Sequence, residues 1–190
     1  MPDNPNTTCL GVDPGPAHLA WAHLDGRKLL DRGELRAAQN VQWSRQRVRY
    51  REQLAHLLHE TQPGLVAVET VNAFPGRNRT PGQIAGQAVQ TSRTQDIIAD
   101  LRVLCAERGI AVVELTPQET LAGLGLAPGH KHTDAQQARA ARRLLEDTVT
   151  DRKWRGKEEG HMARAAGAAL RGPGKWRLQA ATAGQGRLAV

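Results

Sequence analysis

Apolar positions along the chain include two short runs that each end in an acid. Leu10-Gly11-Val12-Asp13 opens into Pro14-Gly15-Pro16, and Leu65-Val66-Ala67-Val68 ends in Glu69-Thr70. Apolar runs of this length bounded by turn signals read as buried strands. Thr7 to Asp13 is the first predicted strand. Ala17 to Leu24 alternates as a second strand, and Asp25-Gly26 is a hairpin turn leading to a third, Lys28 to Arg36. Gln42 to Glu60 repeats apolar residues at Val48, Leu54, Leu57 and Leu58 against a basic face, which predicts an amphipathic helix. Leu65 to Val71 then forms a fourth strand, parallel to the first because a helix separates them.

The second half is richer in helix. After a Gly-, Pro- and Arg-rich loop over Asn72 to Gly82, Ile84 to Glu107 reads as a long helix closed by Gly109. Its small residues Ala85, Gly86, Ala88 and Ala99 favour close packing. Ile110 to Leu115 is a fifth strand, and Thr116-Pro117-Gln118-Glu119 is a capping-box helix start. That helix ends near Leu124. A basic loop, Pro128 to His132, precedes a helix over Thr133 to Glu146, and Asp147 to Gly156 is a polar connection. An Ala-rich helix over Glu158 to Leu170 suits close contact with a sheet. Met1 to Asn6 reads as a disordered lead and Arg171 to Val190 as a flexible basic tail, which leaves one domain over residues 7–170. This order predicts an α/β fold: a mixed five-stranded sheet flanked by helices on both faces. In it the first and fourth strands are neighbours, with Asp13 beside Glu69.

Two carboxylates held at strand ends suit a divalent cation, because hard cations take fixed oxygen ligands. Charge turns that feature toward nucleic acid. The formal net charge is +7 and the isoelectric point about 10.2. Arginines crowd positions 45–51, and no acid follows Glu159. A basic surface of this kind implies an anionic partner, with a solubility surplus as the bland alternative. Aromatics are only 3% of the chain, so the core must rest on Leu, Val, Ile and Ala. Cys9 and Cys105 lie in apolar stretches and fit a reduced compartment. With no signal segment and no membrane-length apolar run, a cytoplasmic, nucleoid-associated location is expected. The His130-Lys131-His132 cluster has no Cys pair at finger spacing, which argues for phosphate contact and against zinc.

The motifs, in order, resemble the RuvC family of Holliday junction resolvases within the RNase H-like nuclease superfamily. They are Leu10-Gly11-Val12-Asp13-Pro14-Gly15, Val66-Ala67-Val68-Glu69, Gly86-Gln87-Ala88, Pro117-Gln118 with Gly123 and Gly125, and His161-Met162-Ala163-Arg164-Ala165-Ala166. The resemblance runs from about Thr7 to Leu170. It implies an RNase H-like fold and a metal-dependent endonuclease that cuts Holliday junctions or related branched DNA in recombination and repair. It also implies a homodimer built on the helix from Ile84 to Glu107, and a possible branch-migration helicase partner.

The implied chemistry is two-metal hydrolysis with Mg or Mn. Asp13 bridges the ions, Glu69 holds one, and His161 holds the other or orients the water. The family's last helix carries two such positions at i and i+3, usually ending in Asp; here they read His161 and Arg164, and a guanidinium cannot ligate a cation. Three readings stay open. Glu158, one turn before His161, supplies the missing carboxylate. Alternatively Asp13, Glu69 and His161 suffice, with Arg164 on the scissile phosphate. Finally, the chain binds junctions and cuts poorly or not at all. The resemblance adds Lys131 as a catalytic-loop cation. Phe74, Arg77, Arg79, His130, Lys131, His132 and Arg164 are the candidate DNA contacts, with Phe74 as a base wedge. An ATP-handling relative is the weakest alternative, because its Asp-x-Gly turn comes with a second domain.

Overall fold

The computed structural model describes residues 8–38, 40–71, 80–127, 129–147 and 158–185, with backbone alone at 146–147, 158–159 and 183–185. In chain order the elements are β1 (Thr8–Pro14), β2 (His18–Asp25), β3 (Lys28–Arg36), α1 (Trp43–Thr61), β4 (Leu65–Glu69) and α2 (Pro81–Ala106). There follow β5 (Ala111–Leu115), α3 (Pro117–Gly123), α4 (Asp134–Leu144), β6 (Glu146–Asp147) and α5 (Glu158–Gln185). The sheet order is β5-β4-β1-β2-β3-β6. The five expected strands are present, and a two-residue sixth strand pairs parallel to β3 through Lys28–Glu146 and Leu29–Asp147. β1 is antiparallel to β2 and parallel to β4, with Val12 opposite Val68.

The period-2 alternation of strand side chains divides the core between the two faces of the sheet. Leu10, Val12, Val66 and Val68 pack with Leu54 and Leu58 of α1 and Ile97 and Leu101 of α2. Cys9 and Ala67 point the other way, into the layer of α3, α4 and α5. Asp13 has the parity of Cys9, and Glu69 that of Ala67. Both acids therefore belong to the α5 face. Alanine is what lets α5 lie so close: Ala163, Ala165, Ala166, Ala168 and Ala169 are all buried. Gly11 completes the fit, since a Cβ there would collide with the Ala165 carbonyl and approach the Ala169 nitrogen to 2.6 Å.

Several expectations are corrected. Residues after Leu170 continue α5 to Gln185, through Pro173, in place of a flexible tail. The extension is anchored: Gly172 packs on Ala67, and Lys175 Nζ donates to Glu119 at 2.7 and 2.9 Å. Val48 is exposed, and α1 buries Gln46, Tyr50, Leu54, Leu57 and Leu58 instead. α2 starts three residues early because Thr80 and Gln83 form a reciprocal capping box ahead of Pro81. Its small residues Ala85, Gly86, Ala88 and Ala99 face outward, so they do not serve packing within this chain. α4 ends at Leu144 because Glu146 joins β6.

Candidate active site

β1 and β4 end side by side, and each delivers its acid at the same edge of the sheet. Asp13 and Glu69 are 7% and 5% exposed, so both carboxylates are nearly removed from water. α5 crosses above them and contributes the third member. His161 Nδ1 donates to Asp13 Oδ2 at 2.7 Å. That bond raises the His161 pKa, against the opposing effect of burial.

Burial and the neighbouring Asp13 charge push the Glu69 carboxyl up to about 7; Arg164 and the Thr120 hydroxyl nearby work in the other direction. Arg164 Nη1 lies 3.6 Å from Glu69 Oε1, and Arg164 Nε donates to Gln137 Oε1 of α4 at 3.3 Å. Glu69 Oε2 and Thr120 Oγ1 are buried and close no hydrogen bond of good geometry. A buried carboxylate oxygen without a partner is costly. It is also the kind of atom a cation would satisfy, so the donor set of Asp13, Glu69 and His161 fits a divalent ion with mixed oxygen and imidazole ligands. Among the described residues, no three His, Cys, Asp or Glu are gathered into a ready-made metal cage.

The other expected residues are placed less centrally. Lys131, His130 and His132 lie on the loop entering α4; Lys131 is exposed, and the His132 ring meets the Ala127 carbonyl at 3.0 Å. Phe74, Arg77 and Arg79 lie outside the described residues, as does the side chain of Glu158, whose backbone opens α5. Two groups missed by sequence reading border the site. His18, bonded to Glu34 at 2.5 Å, stacks on His161 with ring centroids 6.3 Å apart. Asp134, the first residue of α4, sits where a side chain on Gly160 would be, and its charge acts on His161. Nothing in the local pattern marked either one, because both reach the site through packing between elements distant in sequence. Cys9 and Cys105 are buried, with thiol pKa values pushed up to about 12 and about 11 by desolvation, so neither is poised as a nucleophile.

A mixed sheet whose neighbouring parallel strands end in two buried acids, crossed by a helix bearing a third polar group, is the RNase H-like nuclease fold. The comparisons narrow it. The chain is 34% identical over 119 residues to crossover junction endodeoxyribonuclease RuvC of Thermomicrobium roseum; the match spans 61% of this chain and 66% of that protein, just under two thirds. It superposes on the RuvC structure of Thermus thermophilus with a TM-score of 0.66 at 20% identity, over 90% of this chain and 96% of that one. The Thermus protein in complex with a Holliday junction substrate matches equally, at 0.66 and 19% over the same shares. The yeast mitochondrial Holliday junction resolvase matches with a TM-score of 0.56 at 16% identity, over 87% and 79%. No protein-family model matches. In sequence across the matched stretch, and in fold, this chain is RuvC-like.

Proposed function

We propose that this chain is a metal-dependent, structure-specific endonuclease that cuts Holliday junctions or related branched DNA by phosphodiester hydrolysis. The observation that carries the reading is the meeting of Asp13, Glu69 and His161 at one sheet edge: two buried strand-end acids with an imidazole bonded to one of them. Asp13 would bridge two Mg or Mn ions, with Glu69 on one and His161 on the other. When bound, the ions supply an acidified water for in-line attack and charge for the leaving 3′ oxygen. The protein's own contribution is orientation. The Asp13–His161 bond fixes the imidazole, and the parallel register of β1 and β4 fixes the spacing of the acids. Glu69 must lose its proton to ligate, so binding of an ion and deprotonation are coupled.

The basic residues suit a DNA partner. Lys131, His130 and His132 would reach the backbone from the loop before α4. Phe74, Arg77 and Arg79 would enter the junction from the loop after β4. Glu158 remains a candidate ligand. A junction has two-fold symmetry, and a homodimer would answer it; the outward Ala85, Gly86 and Ala88 of α2, with exposed Ile84 and Val89, offer the surface. A branch-migration helicase partner and a cytoplasmic, nucleoid-associated location go with this role. No described helix is long and apolar enough to cross a membrane.

The test is cleavage of a labelled synthetic four-way junction in Mg or Mn, beside Asp13→Asn and Glu158→Gln. Paired symmetric nicks that vanish in Asp13→Asn are expected. One observation favours a second reading, junction binding without efficient cleavage: Arg164 sits against Glu69, where it competes with a cation. Tight, salt-sensitive binding with no nicks in either metal would establish that reading instead.

A further inference from the structure

The helix side of the site is built from two helices. Asp134 and Gln137 are one turn apart on α4, and His161 and Arg164 are one turn apart on α5, so each pair shares a helical face. The two faces meet in register. Gln137 accepts from Arg164 Nε at 3.3 Å, and one turn earlier the Asp134 side chain fills the space left by Gly160, the neighbour of His161. Any side chain at 160 would collide with that carboxylate. Asp134 is half-buried and bears electrostatically on His161.

On the nuclease reading above, we propose that Asp134 is a third carboxylate of the cation site, entering from α4 and replacing the acid absent at Arg164. Charge supports the substitution. Asp13 and Glu69 with Arg164 leave one net negative charge to face a divalent ion; Asp134 restores a second. The buried Oε2 of Glu69, which has no partner of good geometry, marks the side on which the ion would sit. Magnesium and manganese commonly keep several waters, so a carboxylate from a neighbouring helix can hold the hydrated ion without joining a tight cage.

The competing role for Asp134 is structural, since an acid in the first turn favours a helix through its dipole. The experiment separates the two. Manganese binding is measured by calorimetry without DNA on the full chain, Asp134→Asn, Asp134→Glu, Asp13→Asn and Glu158→Gln, with melting curves at zero and saturating manganese and junction cleavage on the same samples. Asp134→Asn should weaken manganese binding by about tenfold or more, the range for groups that support a metal site. It should also shrink the manganese-induced rise in melting temperature, and Asp134→Glu should recover part of both. Unchanged manganese affinity in Asp134→Asn, or a melting temperature lowered equally with and without manganese, would overturn the assignment even if the full chain cuts junctions. So would a full chain that binds no manganese. Asp134-dependent manganese binding in a chain that cuts no branched DNA would leave the assignment standing and sink the endonuclease reading.

Discussion

The sheet half and the helix half of the site differ in how strictly they are specified. On the sheet, Asp13 and Glu69 stand at the ends of adjacent parallel strands, one rung beyond Val12 and Val68. Ladder hydrogen bonds fix that rung, and a one-residue slip would turn both acids to the opposite face. On the helices, the second position reads Arg164, and Gln137 and Asp134 of α4 fill the space around it. Helical side chains reach a shared space from several directions, so charge there can move from one helix to another while the backbone stays put. The sheet half sets where an ion would sit. The helix half sets how strongly it would be held.

The largest effect should come from breaking the sheet half. Asp13→Asn removes a cation ligand and the acceptor for His161 together, and cleavage should fall by roughly 10⁴-fold, the scale of losing one member of a group that acts as a unit. A loss below tenfold would show that the strand-end acids do not carry the chemistry.

Next comes the cost of keeping Glu69 buried. Its carboxyl ionises at about 7 in the folded chain against an ordinary 4.5, first because of desolvation and then because of Asp13. The folded state therefore holds the extra proton between those values, and stability falls as pH rises through this window. Glu69→Gln should remove that slope. Without metal at pH 8 it should be more stable than the parent by about 2–3 kcal/mol, measured by urea unfolding. An equal slope in both proteins would place the titration elsewhere.

The contact joining the two halves is tested by Gly11→Ala. The added methyl meets the Ala165 carbonyl of α5, and overpacking of this kind costs roughly 1–3 kcal/mol. Gly86→Ala, on the outward face of α2 with nothing within 4 Å, is the control and should be neutral or stabilising in the isolated chain. A dimer built through that face would reverse the control, so sedimentation of the same pair tests the expected interface.

The smallest expected effect sharpens the helix half. Arg164→Asp places an acid one turn from His161 and removes the cation 3.6 Å from Glu69. Manganese affinity should rise about tenfold, read by calorimetry. A fall would mean that Arg164 holds Glu69 in a productive position.

Much of this was legible in the chain itself. The strand runs, the hairpin turn at Asp25-Gly26 and the capping boxes at Thr116 and Thr133 locate most elements within a few residues, because each depends on local chemistry. The pairing of Asp13 with Glu69 also followed, since one helical crossover makes the two strands parallel neighbours. The misreadings came from contacts between distant segments. Pro173 and the basic residues after Leu170 looked like a tail, but Lys175 finds Glu119 and Gly172 finds Ala67.

Sequence alone thus determined the order of elements, the two acid-bearing strand ends and the one-turn spacing of His161 and Arg164, because periodicity and turn chemistry act over a few residues. Tertiary structure decided the rest: that His161 bonds Asp13, that Arg164 lies between Glu69 and Gln137, and that Asp134 fills the place beside Gly160. Those contacts join residues far apart in the chain. They exist only because α5, lined with alanine and resting on Gly11, packs close enough to the sheet and to α4 to bring them together.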